Sequence, residues 1–176
     1  MSLYLVRHAR PIIDPERPPE QWRLDPAYLG DIEAIRPRLP RKALWACSPE
    51  PKAVDTALLL GAKRPRQLEE LREVERTWID PADFEDAVRR SLADPDVAPV
   101  EGWETGRECQ TRITQATRDL LDEAGRGHVV LVGHGTAFTL LVAALTQTPP
   151  DIRRWRSLVM PDLIRVDWRQ IVRPSE

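Results

Sequence analysis

Two histidines stand where an imidazole could do chemistry. His8 follows Arg7 directly at the end of the apolar residues 3–6, and His134 lies between Gly133 and Gly135 after the apolar residues 129–132. A neutral imidazole is a good nucleophile toward phosphorus, and a phosphorylated imidazole is open to attack by water, so hydrolysis splits into two easier steps. Phosphoryl transfer also asks for donors and positive charge around the transferring oxygens. Arg7 offers a planar fork of donors. His134 can donate as well, and Gly135 and Thr136 open a helix whose free N–H groups favour an anion. A carboxylic acid must still protonate the departing alcohol, and an acidic run, Glu69-Glu70-Leu71-Arg72-Glu73, is at hand.

These groups need elements to position them. Continuous apolar runs such as 3–6 and 129–132 suit central strands covered on both faces, and residues 43–47 make a third strand leading into Ser48-Pro49. Asp25-Pro26, Ser48-Pro49 and Asp80-Pro81 each pair a cap with a first-turn proline ahead of helically spaced apolar residues. Leu29, Ile32, Ile35 and Leu39 follow the first of these, and Ala53, Val54, Ala57, Leu58 and Leu60 the second. Thr105 and Glu108 form a capping-box pattern for a helix that should stop near Gly125. Residues 136–145 are apolar nearly all round, as in a buried helix. Ile164, Val166 and Trp168 alternate with polar neighbours, which predicts a half-exposed final strand. Strands alternating with helices imply an α/β three-layer sandwich, with a mainly parallel central sheet and helices on both faces. Ligands gather beyond the carboxyl ends of such strands, so His8 and His134 should meet at one edge.

The motifs come in an order that resembles a known family. Leu5-Val6-Arg7-His8-Ala9 resembles the Leu-Val-Arg-His-Gly signature of the histidine phosphatase superfamily, which includes cofactor-dependent phosphoglycerate mutases. Ser48-Pro49-Glu50-Pro51-Lys52-Ala53 with Thr56-Ala57 is similar to Ser-Pro-x-x-Arg-Ala-x-x-Thr-Ala, and Leu71-Arg72-Glu73-Val74 to the Leu-x-Glu segment carrying the acid. Trp103-Glu104-Thr105 stands where Gly-Glu-Ser is usual, with Arg112 at the matching distance, and residues 130–135 resemble the second histidine motif. The resemblance implies a phosphoglycerate mutase-like fold. It makes His8 the phosphorylated nucleophile, Arg7 and His134 phosphoryl ligands, and Glu73 the general acid that later activates water. Glu104 would orient pocket groups. Lys52 stands at the second phosphate-binding arginine, keeping the charge but losing the two-pronged geometry. Asp14 lies where many members have asparagine; a carboxylate there would repel phosphate, so it is left outside the site.

The 176 residues fit one domain, 1–176. No apolar run reaches the roughly 20 residues of a membrane span. The start MSLYLVRHARP lacks a signal-peptide pattern, so a cytoplasmic protein is expected. A net charge of −2 argues against a general polyanion binder. Cys47 and Cys109 lack metal-ligand spacing and read as buried thiols, and three separated histidines form no recognised ligand cluster, so neither metal nor cofactor is expected. A serine hydrolase is excluded because glycine occupies the serine position of a nucleophile elbow around residues 132–136. The expected activity is metal-independent hydrolysis of a phosphorylated small molecule, with a phosphoprotein as the other substrate class, and with no nucleic acid or membrane partner. A mutase, or a phosphate-binding protein with weakened catalysis, is the alternative. Oligomeric state and physiological substrate stay open, and specificity falls to residues 10–24 and 78–100.

Overall fold

The computed structural model of the chain describes residues 2–172. Its strands are β1 (Ser2–Arg7), β2 (Leu44–Cys47), β3 (Arg66–Gln67), β4 (Val129–Gly133) and β5 (Asp162–Asp167). They form one sheet in the order β3-β2-β4-β1-β5. Every neighbouring pair is parallel except β1 with β5, which runs antiparallel at the edge. The expected mainly parallel sheet is therefore present, with β1 and β4 adjacent at its centre.

Among the described residues six α-helices accompany it: α1 (Gly30–Ile35), α2 (Pro51–Leu59), α3 (Pro81–Ala93), α4 (Gly106–Ala124), α5 (Gly135–Thr146) and α6 (Ile152–Ser157). Strand alternation divides the core into two layers. Leu3, Leu5, Val129 and Leu131 face α3, α4 and α5, and pack with Leu92, Ile113 and Phe138. Tyr4, Val6, Val130 and Val132 face the other way, against Ile32, Ile35, Ala53 and Ala57 of α1 and α2. The central strands are apolar throughout residues 3–6 and 129–132 because both of their faces are covered.

Caps written locally in the sequence hold. Asp80 accepts from the Ala82 amide, Thr105 and Glu108 close a capping box, and α4 ends at Gly125. Other boundaries differ. The helix after Ser48-Pro49 starts at Pro51, with Glu50 as its N-cap, because Glu50 has extended backbone. The segment after Asp25 is a 3-10 turn, then α1, then a second 3-10 turn at Arg36–Arg38, where Pro37 lacks the N–H that a continuing helix needs. Trp168 leaves the final strand and opens a 3-10 turn (Trp168–Gln170). β3 and α6 are additions to the expected elements. No helix among the described residues is long and apolar enough to cross a membrane.

Candidate active site

β1 and β4 end side by side, and the His8 amide extends their pairing by donating to the Gly133 carbonyl at 2.9 Å. The two histidines that follow are both buried, with ring centroids 5.2 Å apart in an edge-on arrangement. His8 Nδ1 lies 2.7 Å from the Ala9 carbonyl oxygen. A carbonyl can only accept, so Nδ1 carries the proton and Nε2 keeps a free lone pair. Burial first, then the positive surroundings of His134 and Lys52, holds the His8 pKa well below its ordinary 6.5. The ring is thus neutral and oriented, with Nε2 unprotonated. The Ala9 amide donates to Thr56 Oγ1, whose hydroxyl donates to the Lys52 carbonyl, tying the His8 loop to α2.

Both glycines beside His134 are closely packed, Gly133 the more tightly. A Cβ on Gly133 would stand 2.9 Å from the Phe138 ring, and one on Gly135 would stand 3.3 Å from Arg7 Nε. Arg7 is held by one bond, Nη1 donating to the Leu158 carbonyl at 2.9 Å. Among the described residues its Nε is buried without a partner. Burial lowers the Arg7 pKa somewhat, which leaves it a cation with an unspent donor.

Glu73 reaches the same place from the segment before α3. Its carboxylate accepts from the amides of Thr136 (3.2 Å) and Ala137 (2.9 Å) at the start of α5, and from Val74 (3.0 Å). Burial alone would raise its pKa; nearby His134 and Arg76, with these N–H bonds, outweigh burial and lower it. The Thr136 amide expected to face phosphate is therefore directed at Glu73. The segment carrying Glu73 is clamped by Arg112 of α4. All five of its N–H donors are engaged: two on Glu104 at 2.7 and 2.8 Å, the rest on the carbonyls of Glu70, Arg72 and Glu73. Glu104 also accepts from the Glu75 amide. It lies outside the cavity that the histidines line and meets the Glu73 segment through these contacts.

Lys52 sits in the first turn of α2 and is 5% exposed. Its Nζ donates to the Pro19 carbonyl at 2.6 Å and to Glu50 Oε2 at 2.5 Å. Glu50 is the residue that sequence reading did not place in the site. Its Oε1 accepts from the Glu73 amide at 3.2 Å and lies 3.0 Å from His134 Nε2, off the direction of a hydrogen bond. Burial would raise the Glu50 carboxyl, but His134 and Lys52 outweigh it and hold it far below the usual carboxylate range. The available signal in sequence is an acid two positions before the lysine that stands at the phosphate-binding arginine.

Arg7, His8, Glu50, Lys52, Glu73 and His134, together with Gly135 and Thr136, line one cavity of about 520 Å³. Every residue expected in the site is thus brought together. Arg10, Arg72 and Arg76 add positive charge to its walls, and Trp22, Phe84 and Trp155 add aromatic surface. Asp14 is outside the cavity, bonded to the Glu16 amide and paired with Arg17. His128 packs edge-on to Tyr4 at the start of β4, away from the site. Among the described residues no group of three or more His, Cys, Asp or Glu side chains is placed to hold a metal ion.

The sequence profile of the histidine phosphatase superfamily (branch 1) matches residues 3–170. Among solved structures the chain is similar to the mycobacterial glucosyl-3-phosphoglycerate phosphatase. The TM-score is 0.73 with 22% identity, covering 93% of this chain and 88% of the other. It is also similar to Bacillus stearothermophilus YhfR, with a TM-score of 0.72 and 24% identity over 94% of this chain and 90% of that one. The Thermus thermophilus protein TTHB049 aligns over 99% of this chain and 98% of its own, with a TM-score of 0.67 and 21% identity. No curated protein sequence matches the chain.

Proposed function

The chain belongs to the histidine phosphatase superfamily, and on that premise we propose that it hydrolyses phosphomonoesters through a phosphohistidine at His8. The observation that carries this reading is the His8 ring, neutral and fixed by its Nδ1–H on the Ala9 carbonyl, with Nε2 unprotonated. In the first step Nε2 attacks phosphorus and the ester P–O bond breaks, while Glu73 gives its proton to the departing alkoxide. In the second, water attacks the phosphohistidine, Glu73 takes back a proton, and phosphate leaves. Arg7, His134 and Lys52 neutralise the transferring oxygens, so the reaction needs no divalent ion. Glu73 is ionised at rest, and the negative charge of an arriving phosphoryl group pushes its pKa upward toward the acid form it needs. A cavity of about 520 Å³ with arginine and aromatic walls suits a small phosphorylated organic molecule.

The test is trapping. Quenching turnover of a labelled aryl phosphate without acid should leave label on the protein that survives base and is lost in acid. His8→Ala should abolish both label and turnover, and chelator should affect neither in the parent protein. Label persisting in that variant would exclude the assignment. The carboxylate of Glu50 beside His134 favours, as a second reading, a weakened phosphate-binding protein, for which no label forms.

A further inference from the structure

Two of the groups proposed to hold a phosphoryl group, Lys52 and His134, already lie against an anion, and that anion belongs to the protein. Glu50 Oε2 takes the Lys52 ammonium at 2.5 Å, and Oε1 takes the Glu73 amide at 3.2 Å and faces His134 Nε2 at 3.0 Å. A cation, an imidazole nitrogen and a backbone N–H around one set of oxygens are what an oxyanion site consists of. If Glu50 served only to satisfy a buried lysine, one oxygen on Nζ would suffice, since Lys52 also has the Pro19 carbonyl. Instead the second oxygen is turned inward between His134 and the backbone of Glu73.

We propose that Glu50 is a specificity-determining residue whose carboxylate holds the phosphoryl-oxygen position between His134 and Lys52, so that phosphate binds only by displacing it. This rests on the reading of the cavity as a phosphoryl site. Two anions cannot share these donors at contact distance, because like charges there repel strongly. The competing carboxylate is tethered one residue before α2 and is always at hand. Free phosphate therefore binds weakly, and a substrate must draw on contacts of its organic part with the walls to lift Glu50 away. When product phosphate departs, the carboxylate reseats on Lys52.

Inorganic phosphate and vanadate are the probes, with calorimetric binding and inhibition of aryl phosphate turnover measured on the full chain. Glu50→Gln keeps the shape and removes the charge. It should tighten phosphate and vanadate by about tenfold or more and lower KM. Glu50→Asp serves if the glutamine variant fails to fold. It retains a partner for Lys52 but draws the carboxylate back from His134, and should tighten binding by a smaller factor. Turnover with unchanged or weaker anion affinity in these variants overturns the inference and leaves the phosphatase reading standing. Tightened anion binding without turnover in any of the proteins supports the inference and overturns the phosphatase reading.

Discussion

Lys52 is committed to two neighbours before any substrate arrives, the Pro19 carbonyl and the Glu50 carboxylate, and both members of the ion pair are nearly enclosed. Removing one charge from a buried pair leaves the other stranded, which typically costs about 3–5 kcal/mol, whereas replacing both by apolar groups is often close to neutral. Lys52→Met should therefore lower the urea-unfolding free energy by about that amount, and Glu50→Leu with Lys52→Met should recover most of it. A double variant no better than the single one would show that the two side chains act independently. This pairing explains why the residues of the site differ in how legible they are from sequence. Arg7, His8 and His134 are readable because strand ends deliver them. Glu50 is not, since its meaning comes from contacts with Glu73 and His134, which lie far along the chain.

At the level of elements, the proposed general acid, Glu73, is only as well placed as the irregular segment that carries it. That segment is fixed from α4, where Arg112 spends every donor on Glu104 and on the carbonyls of Glu70, Arg72 and Glu73. Lysine keeps the charge but cannot make this fan of bonds. Arg112→Lys should lower kcat by roughly tenfold on substrates with poor leaving groups, less than the roughly 10²–10⁴-fold for losing a general acid outright. KM and turnover of activated aryl phosphates should change less. Equal slowing of both substrate types would assign the clamp to stability alone. Helix caps are readable from sequence at Asp80 and Thr105 because their chemistry is complete within four residues. The start of α2 is ambiguous in sequence because Pro49 and Pro51 both suit a first turn, and Glu50 decides it by staying extended. β3, two residues long, is too short to show any alternation.

Across the whole molecule, burying the site ties stability to pH. His8 has its pKa lowered well below 6.5, so below that pH the unfolded chain takes up a proton that the folded one refuses. Glu50 and Glu73 are both lowered from 4.5, so they too bind protons more readily when unfolded. All three have the same sign: the unfolded state binds more protons, and stability rises with pH. The His8 contribution is fully present above about pH 6.5 and is lost as the pH falls below it, at up to about 1.4 kcal/mol per pH unit. The two carboxylates add their loss below about pH 4.5. Asp86, Asp96, Glu108 and Glu123 are shifted in the same direction. They lie on the exposed surface, where solvent screening leaves such pairs little weight. Urea midpoints should therefore be flat from about pH 8 to 7 and fall below about pH 6.5. In His8→Asn the group is gone, so its midpoint should hold until the carboxylates titrate, and the two curves should separate steadily between about pH 6.5 and 5. Parallel curves over that interval would mean that the acid loss belongs to another histidine, and that the His8 ring is not held neutral by its surroundings.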